Sequence, residues 1–329
     1  MNSISKLMVG AVWAVGTLCT ACSDWTDTEA FTVNETNIQE QNPDLYARYL
    51  ANLREYRTTS HKWVYAWFDN SEKKPYSRAH HLTDIPDSID VVSLMYPDKL
   101  VKSEMQEINQ IRDEKGMKVI YDVDFDQLKT IYNNMVNEAP ENEPVAMEFR
   151  QFLTDTLAYS LSLANKYQYD GICIKYKGRL PIYMTEEEKK EYKENENNFI
   201  NMVNDWKERN PEKMLLFLGN PENLYEGVFI LDKCNTIFVS GETATSGSEL
   251  SYILAQSYLL EYGQKYGAVA DVKNTNLTMQ AFGQWAVQQH FENQLDAVGV
   301  YNVASDYYSS GYNYKNVREM ISILNPSVK

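Results

Sequence analysis

Eight short β-rich runs, each separated from the next by a stretch of helical or turn-forming sequence, set the tightest limit on what this 329-residue chain can fold into. The runs span 62–68, 89–96, 118–125, 171–177, 214–218, 236–240, 268–272 and 297–303. Helical periodicity is predicted near 44–58, 101–115, 127–137, 143–167, 185–209, 247–266, 278–293 and 315–324. Strands joined through helices run parallel. Eight such units in roughly 280 residues predict an α/β fold, a (β/α)8 TIM barrel. An open doubly wound sheet would carry a glycine-rich phosphate loop after its first strand. Here Phe68-Asp69-Asn70-Ser71-Glu72-Lys73 follows instead. No Pro/Ser-rich linker interrupts the body, so 44–329 is predicted to be one domain.

The net charge of −15 disfavours polyphosphate ligands and sets nucleic acid aside. Four cysteines and four histidines show no metal-ligand spacing, and no cofactor motif is present, so neither a metal nor a cofactor is expected. Residues 1–21 combine Lys6, an apolar run from Leu7 to Leu18 and small residues before Cys22, the pattern of a secretory signal. Leu18-Cys19-Thr20-Ala21-Cys22 resembles a bacterial lipobox, which implies lipidation of Cys22. The acidic stretch Ser23-Asp24-Trp25-Thr26-Asp27-Thr28-Glu29 is similar to the export signal of surface lipoproteins in Bacteroidetes-type bacteria. Residues 22–43 are polar and suit a tether. The resemblance implies an outer-membrane lipoprotein at the cell surface, held by its lipid anchor alone.

In a barrel, functional groups gather at the C-terminal ends of strands. That rule selects Trp67, Asp69, Tyr96, Asp124, Asp126, Lys177, Asn220, Glu222, Glu242, Tyr301, Asn302 and Asp306. The fourth run is the most telling. Asp170-Gly171 opens an alternating strand after a long helix, and this arrangement resembles the fourth barrel strand of glycoside hydrolase family 18, the chitinases and endo-β-N-acetylglucosaminidases. The family pattern is Asp-Gly-x-Asp-x-Asp-x-Glu, in which the last Glu protonates the glycosidic oxygen and the Asp before it orients the substrate acetamide. The corresponding positions here hold Cys173, Lys175 and Lys177. An ammonium has neither the acidity of the donor nor an acceptor for an amide N–H. The resemblance therefore implies a barrel whose family mechanism cannot run.

Other carboxylates remain available. Asp122, Asp124 and Asp126 alternate along the predicted third strand, and Lys175 is expected to pair with Asp122 or Asp124 across to the fourth. Asp124, Asp126, Glu222 and Glu242 are the fallback catalytic groups. Cys173 and Cys234 are expected to be buried thiols.

Aromatic residues supply the remaining functional material: 24 Tyr, 11 Phe and 6 Trp. Trp67, Tyr96, Tyr301 and the cluster Tyr307, Tyr308, Tyr312 and Tyr314 are candidate sugar platforms; Asp124, Lys177, Asn220, Asn302 and Asp306 are candidate hydrogen-bonding partners. The family resemblance implies a glycan ligand, an N-glycan or chitin-type oligosaccharide containing N-acetylglucosamine. It also implies an outer-membrane glycan importer and companion lipoproteins as partners. Two alternatives stay open: an active endo-glycosidase using relocated carboxylates, and a structural or assembly lipoprotein with no sugar site.

Overall fold

The computed structural model describes residues 41–140, 145–258, 266–290 and 293–326. The expected signal sequence, the expected lipidation site Cys22 and nearly all of the expected tether lie outside the described residues. The chain divides into two units, Met1–Arg48 and Tyr49–Lys329. The described part of the first comprises residues 41–48, which open helix α1 (Pro43–Tyr56).

The second unit is built on a closed barrel of eight parallel strands. They are β1 (Trp63–Phe68), β2 (Val91–Leu94), β3 (Lys118–Asp124), β4 (Gly171–Tyr176), β5 (Met214–Gly219), β6 (Thr236–Ser240), β7 (Tyr266–Asp271) and β8 (Ala297–Tyr301). Each pairs with its sequence neighbours, and β1 closes the ring on β8 through Trp63 opposite Ala297 and Tyr65 opposite Gly299. The surrounding helices are α2 (Lys102–Lys115), α3 (Phe125–Glu138), α4 (Phe149–Lys166), α5 (Glu186–Arg209), α6 (Gly247–Tyr258), α7 (Met279–Ala286) and α8 (Lys315–Leu324). Short 3-10 turns, Arg78–His80, Leu82–Asp84, Pro221–Asn223 and Gly227–Lys233, carry the crossovers after β1 and β5. Element boundaries shift from the sequence reading, most clearly in the last third of the chain. Tyr266 belongs to β7, not to a helix, and α7 stops at Ala286, before a small antiparallel ladder of Gln289–His290 with Asn293–Gln294.

Strand alternation sorts the apolar residues into two layers. Outward positions such as Val64, Val119, Ile172, Phe217 and Val298 pack beneath the helices. Inward positions, including Tyr65, Trp67, Ile120, Cys173, Leu216 and Phe238, fill the barrel itself. The largest of these need room. A Cβ on Gly299 would stand 2.7 Å from the Trp67 ring and 2.6 Å from Val269, and one on Gly267 would stand 2.5 Å from Phe238. These strand positions are glycine because an aromatic ring already occupies their space.

The run Glu186–Glu196 forms the first turns of α5, which begins with a reciprocal capping box between Thr185 and Glu188. The run is mostly solvated until its end, where Asn195 is buried and Glu196 fully so. Glu196 Oε1 accepts the backbone N–H groups of Tyr225, Glu226 and Gly227 at 2.8, 3.0 and 3.0 Å, and Oε2 accepts the Tyr176 hydroxyl. This pins the long crossover after β5 to the end of β4. On the opposite face of the barrel, Asn325 Oδ1 accepts the Lys62 N–H at 2.9 Å and Asn325 Nδ2 donates to the Lys62 carbonyl at 2.8 Å. The residue before β1 is thereby clipped to the residue after α8.

Gly299→Ala should cost about 1–3 kcal/mol, because the added methyl meets Trp67 and Val269 in a filled interior. A urea titration reads the loss as a lower midpoint at unchanged slope; an unchanged midpoint would show that the Trp67 ring yields freely.

Candidate functional site

The C-terminal end of the barrel opens into a groove of about 510 Å3. Its floor is made by residues that strand geometry turns inward: Asp122 and Asp124 from β3, Lys175 from β4 and Tyr301 from β8. Lys175 Nζ lies 3.3 Å from Asp124 Oδ2 and 3.8 Å from Asp122 Oδ2, and donates to the Tyr301 hydroxyl at 3.3 Å. The same ammonium stands 5.2 Å from the centre of the Tyr301 ring. The expected pairing of Lys175 with the β3 carboxylates is present, and it involves both.

Asp122 is the most heavily partnered group. Trp67 Nε1 donates to its two oxygens at 2.8 and 3.0 Å, and the Ser93 hydroxyl donates at 2.7 Å. Burial pushes its carboxyl up to about 6, against the pull of Lys175, Ser93 and Trp67. Burial alone would lower the Lys175 ammonium, but the surrounding Asp122, Tyr301 and Asp124 outweigh it and hold the ammonium above its ordinary range. The Tyr301 hydroxyl is raised, chiefly by burial. Cys173, one inward step below Lys175, is fully enclosed, and burial lifts its thiol far above reactivity.

The rim is set by the chain leaving each strand. Tyr96 is exposed and lines the groove, with its backbone clamped by Asn70, which accepts its N–H at 2.9 Å and donates to its carbonyl at 2.8 Å. Asp98 fixes the same loop to α4 by accepting from Tyr159 at 2.6 Å, Lys166 at 2.9 Å and Tyr167 at 3.1 Å. A smaller pocket of about 220 Å3 adjoins the groove, sharing Asp124, Gln127 and Lys175 and adding Asp126, Lys177 and Glu242. Lys177 lies one residue past the end of β4 and is exposed at this rim; its N–H donates to Asp126 Oδ2 at 2.7 Å. Burial raises the Asp126 carboxyl despite that bond.

Several sequence expectations need correction. Trp67 is not an open platform: its exposure is 0%, and its ring lies under the groove, 5.9 Å from that of Tyr301. Asp126 is not on β3, because Asp124 ends the strand and at once caps α3, accepting the Gln127 N–H at 2.9 Å, so Asp126 belongs to the first helical turn. Asp306 is only 2% exposed and serves α8, accepting the Val317 N–H at 2.9 Å and the Asn316 amide at 2.7 Å. Tyr307 and Tyr314 are buried, whereas Tyr308 and Tyr312 are exposed. Asn220 and Glu222 begin the turn after β5 and line neither the groove nor its adjoining pocket. Asn302 turns away from the groove into a separate cavity. Ser93 and Asp98 were not singled out by sequence; the hydroxyl of Ser93 at an inward position of an apolar strand was the available signal. Among the described residues, no cluster of three or more His, Cys, Asp or Glu side chains is placed to hold a metal ion.

Residues 26–323 match glycoside hydrolase family 18, BT1044-like. The chain belongs to that family. Among solved structures, a family 18 barrel similar to it is a selenomethionyl variant of BT1044, with 20% identity over 88% of this chain and 95% of that one, at a TM-score of 0.63. A putative chitinase A from Streptomyces coelicolor matches at 11% identity over 81% of this chain and all of that one, TM-score 0.52. A family 18 chitinase from Chromobacterium violaceum matches at 11% identity over 81% and 83%, TM-score 0.50. These structural likenesses are likenesses of fold. No curated protein matches the chain. In this family 18 barrel, the inward and rim positions of β4 carry Cys173, Lys175 and Lys177 around the groove just described.

Lys175→Met should destabilise the family 18 barrel by about 2–3 kcal/mol, below the ~3–5 of a wholly buried pair because both carboxylates keep some contact with water. The loss depends on pH. A carboxyl held higher in the folded state than its ordinary 3.8 contributes stability that is full below that value and lost as pH rises through about 6. Removing the ammonium lifts Asp122 further, so chemical denaturation should show a larger loss at about pH 8 than at about pH 4.5. Equal losses at both would mean that the ammonium does not balance Asp122.

Proposed function

We propose that this family 18 chain is a cell-surface lipoprotein that binds N-acetylglucosamine-containing glycans without hydrolysing them. One observation carries the reading: the Lys175 ammonium sits 3.3 Å from Asp124 Oδ2 and 3.8 Å from Asp122 Oδ2, at the inward β4 position where the family pattern has the acetamide-orienting Asp. A protonated amine there repels the amide N–H that the carboxylate would accept. Lys177, at the position of the proton donor, has an amine whose ordinary pKa is far too high for matched proton transfer to a glycosidic oxygen. Tyr96 and Tyr301 offer rings, and Asp124, Gln127 and Lys177 offer polar groups, along a groove large enough for a saccharide. Lipidation at Cys22 would hold the domain at the outer membrane, where an importer and companion lipoproteins would receive the bound glycan.

A second reading has its own support. Asp122, raised to about 6 in the groove floor, is the carboxyl whose acidity best suits a relocated general acid. Its two oxygens already accept from Trp67, Ser93 and the Lys175 field, which favours a structural anion. If it did serve as acid, activity would decline as pH rises through about 6, since the protonated form is the active one.

Incubation of the purified protein with N-glycoprotein and with chitin oligosaccharides, followed by mass spectrometry, should release no product, while a glycan array gives signal above background. Released oligosaccharide that disappears in Asp122→Asn would overturn the non-hydrolytic reading. A background-level array from a folded sample would overturn glycan binding.

A further inference from the structure

The end of the barrel opposite the groove holds a buried charge cluster centred on Asp90, the residue before β2, which is 3% exposed. Its Oδ2 accepts the Val64 N–H of β1 at 2.8 Å. Its Oδ1 faces two nitrogens at once, Arg57 Nη1 at 2.8 Å and His61 Nε2 at 3.0 Å. Arg57, just past the end of α1, also donates to the Lys115 carbonyl at 2.7 Å and to the Asp87 carbonyl at 2.6 Å. The His61 side chain is itself buried.

Hydrogen-bond partners fix the charge of His61. Its other nitrogen, Nδ1, stands 2.8 Å from the Thr59 carbonyl. A carbonyl oxygen and a carboxylate oxygen can only accept, so both ring nitrogens must donate, and an imidazole that donates twice is an imidazolium. The rings around it suit a cation: Tyr56 lies 4.4 Å away between centres, and Trp63 stacks within 6° at 6.0 Å. Among the charged and titratable groups packed there, Asp90 favours the extra proton and Arg57 opposes it. Tyr56, pushed up to about 12 chiefly by burial, stays neutral, and Lys62 turns its ammonium to the Leu295 carbonyl. Asp87 is taken by Lys115 at 2.7 Å and by the Tyr49 hydroxyl. The bond to Asp90 outweighs burial and holds the imidazole above its ordinary 6.5.

His61 governs the short connection between α1 and β1. Thr58, Thr59 and Ser60 are exposed, and the imidazolium ties that turn inward to Asp90. Loss of one proton leaves a nitrogen lone pair facing an oxygen, so one of the two contacts must open. We propose that residues 58–62 are a proton-operated latch at the base of the barrel, fastened while His61 carries two ring protons and released when it gives one up. A group held above its ordinary value contributes stability that is full below 6.5 and lost as pH rises through the folded value. The latch is independent of what the groove binds.

Long-range proton–nitrogen NMR of the purified protein, with His61→Gln to assign the ring signals, reads the charge directly. Both ring nitrogens of His61 should be protonated at about pH 6.5, with a titration midpoint above that value. Amide exchange, corrected for intrinsic base catalysis, reads the release at Thr59, whose N–H is held by Tyr56, and at Lys62, whose N–H is held by Asn325. Protection there should fall about tenfold for each unit by which the midpoint exceeds 6.5. His61→Gln has no ring proton to lose and should show no such fall. A singly protonated ring at about pH 6.5, flat protection in the wild type, or a fall that persists in His61→Gln overturns the latch; if the variant does not fold, the wild-type charge and exchange decide alone.

Discussion

One ammonium offsets much of the negative charge at the mouth of this barrel. Lys175 enters a space that Asp122 and Asp124 would otherwise fill with two unopposed negative charges. The cluster it creates reaches well beyond β3 and β4. Trp67 from β1 and Ser93 from β2 both donate to Asp122, and Tyr301 from β8 accepts from Lys175. Five of the eight strands are therefore linked by side chains at the level where apolar packing gives way to solvent. Below that level Phe238 and Leu216 need only shape to fit, and Tyr65 adds a single contact of its hydroxyl with Thr236 Oγ1 at 3.4 Å. At that level directional bonds take over, and they hold the groove floor in one arrangement.

The floor also depends on residues that have no side chain. Trp67 lies flat enough to reach Asp122 because Gly299 gives up its space, and Phe238 packs edge-on against Trp67, ring centres 5.8 Å apart, because Gly267 does the same. Tyr301 then rests above Trp67. Aromatic rings thus pass from core to groove surface within two neighbouring residues, and only the upper one meets solvent.

The architecture was legible because barrel strands are buried on both faces and read as short apolar runs between clear helical periods. Legibility failed where one residue serves two elements. Asp124 ends β3 and caps α3 with no intervening loop, so a period-2 reading carried Asp126 onto a strand it never joins. Rank along a strand does not report depth, so Trp67, at the end of β1, looked like a platform although its neighbours cover it. Asp306 and Glu196 show a further difficulty. Both are carboxylates in polar stretches of sequence, and both are consumed within the fold, Asp306 by the Val317 N–H and the Asn316 and Ser309 side chains, Glu196 by three backbone N–H groups about thirty residues on. The inward direction of Lys175 was readable from Asp170-Gly171 onward, because alternation in β4 is uninterrupted.

Lys62 and Asn325 hold each other by a reciprocal pair of hydrogen bonds at the face opposite the groove. The residue before β1 and the residue after α8 are therefore side by side, away from the groove. The ring is thereby closed twice, once by the backbone pairing of β1 with β8 and once by a clip between the segment that enters the first strand and the segment that leaves the last helix.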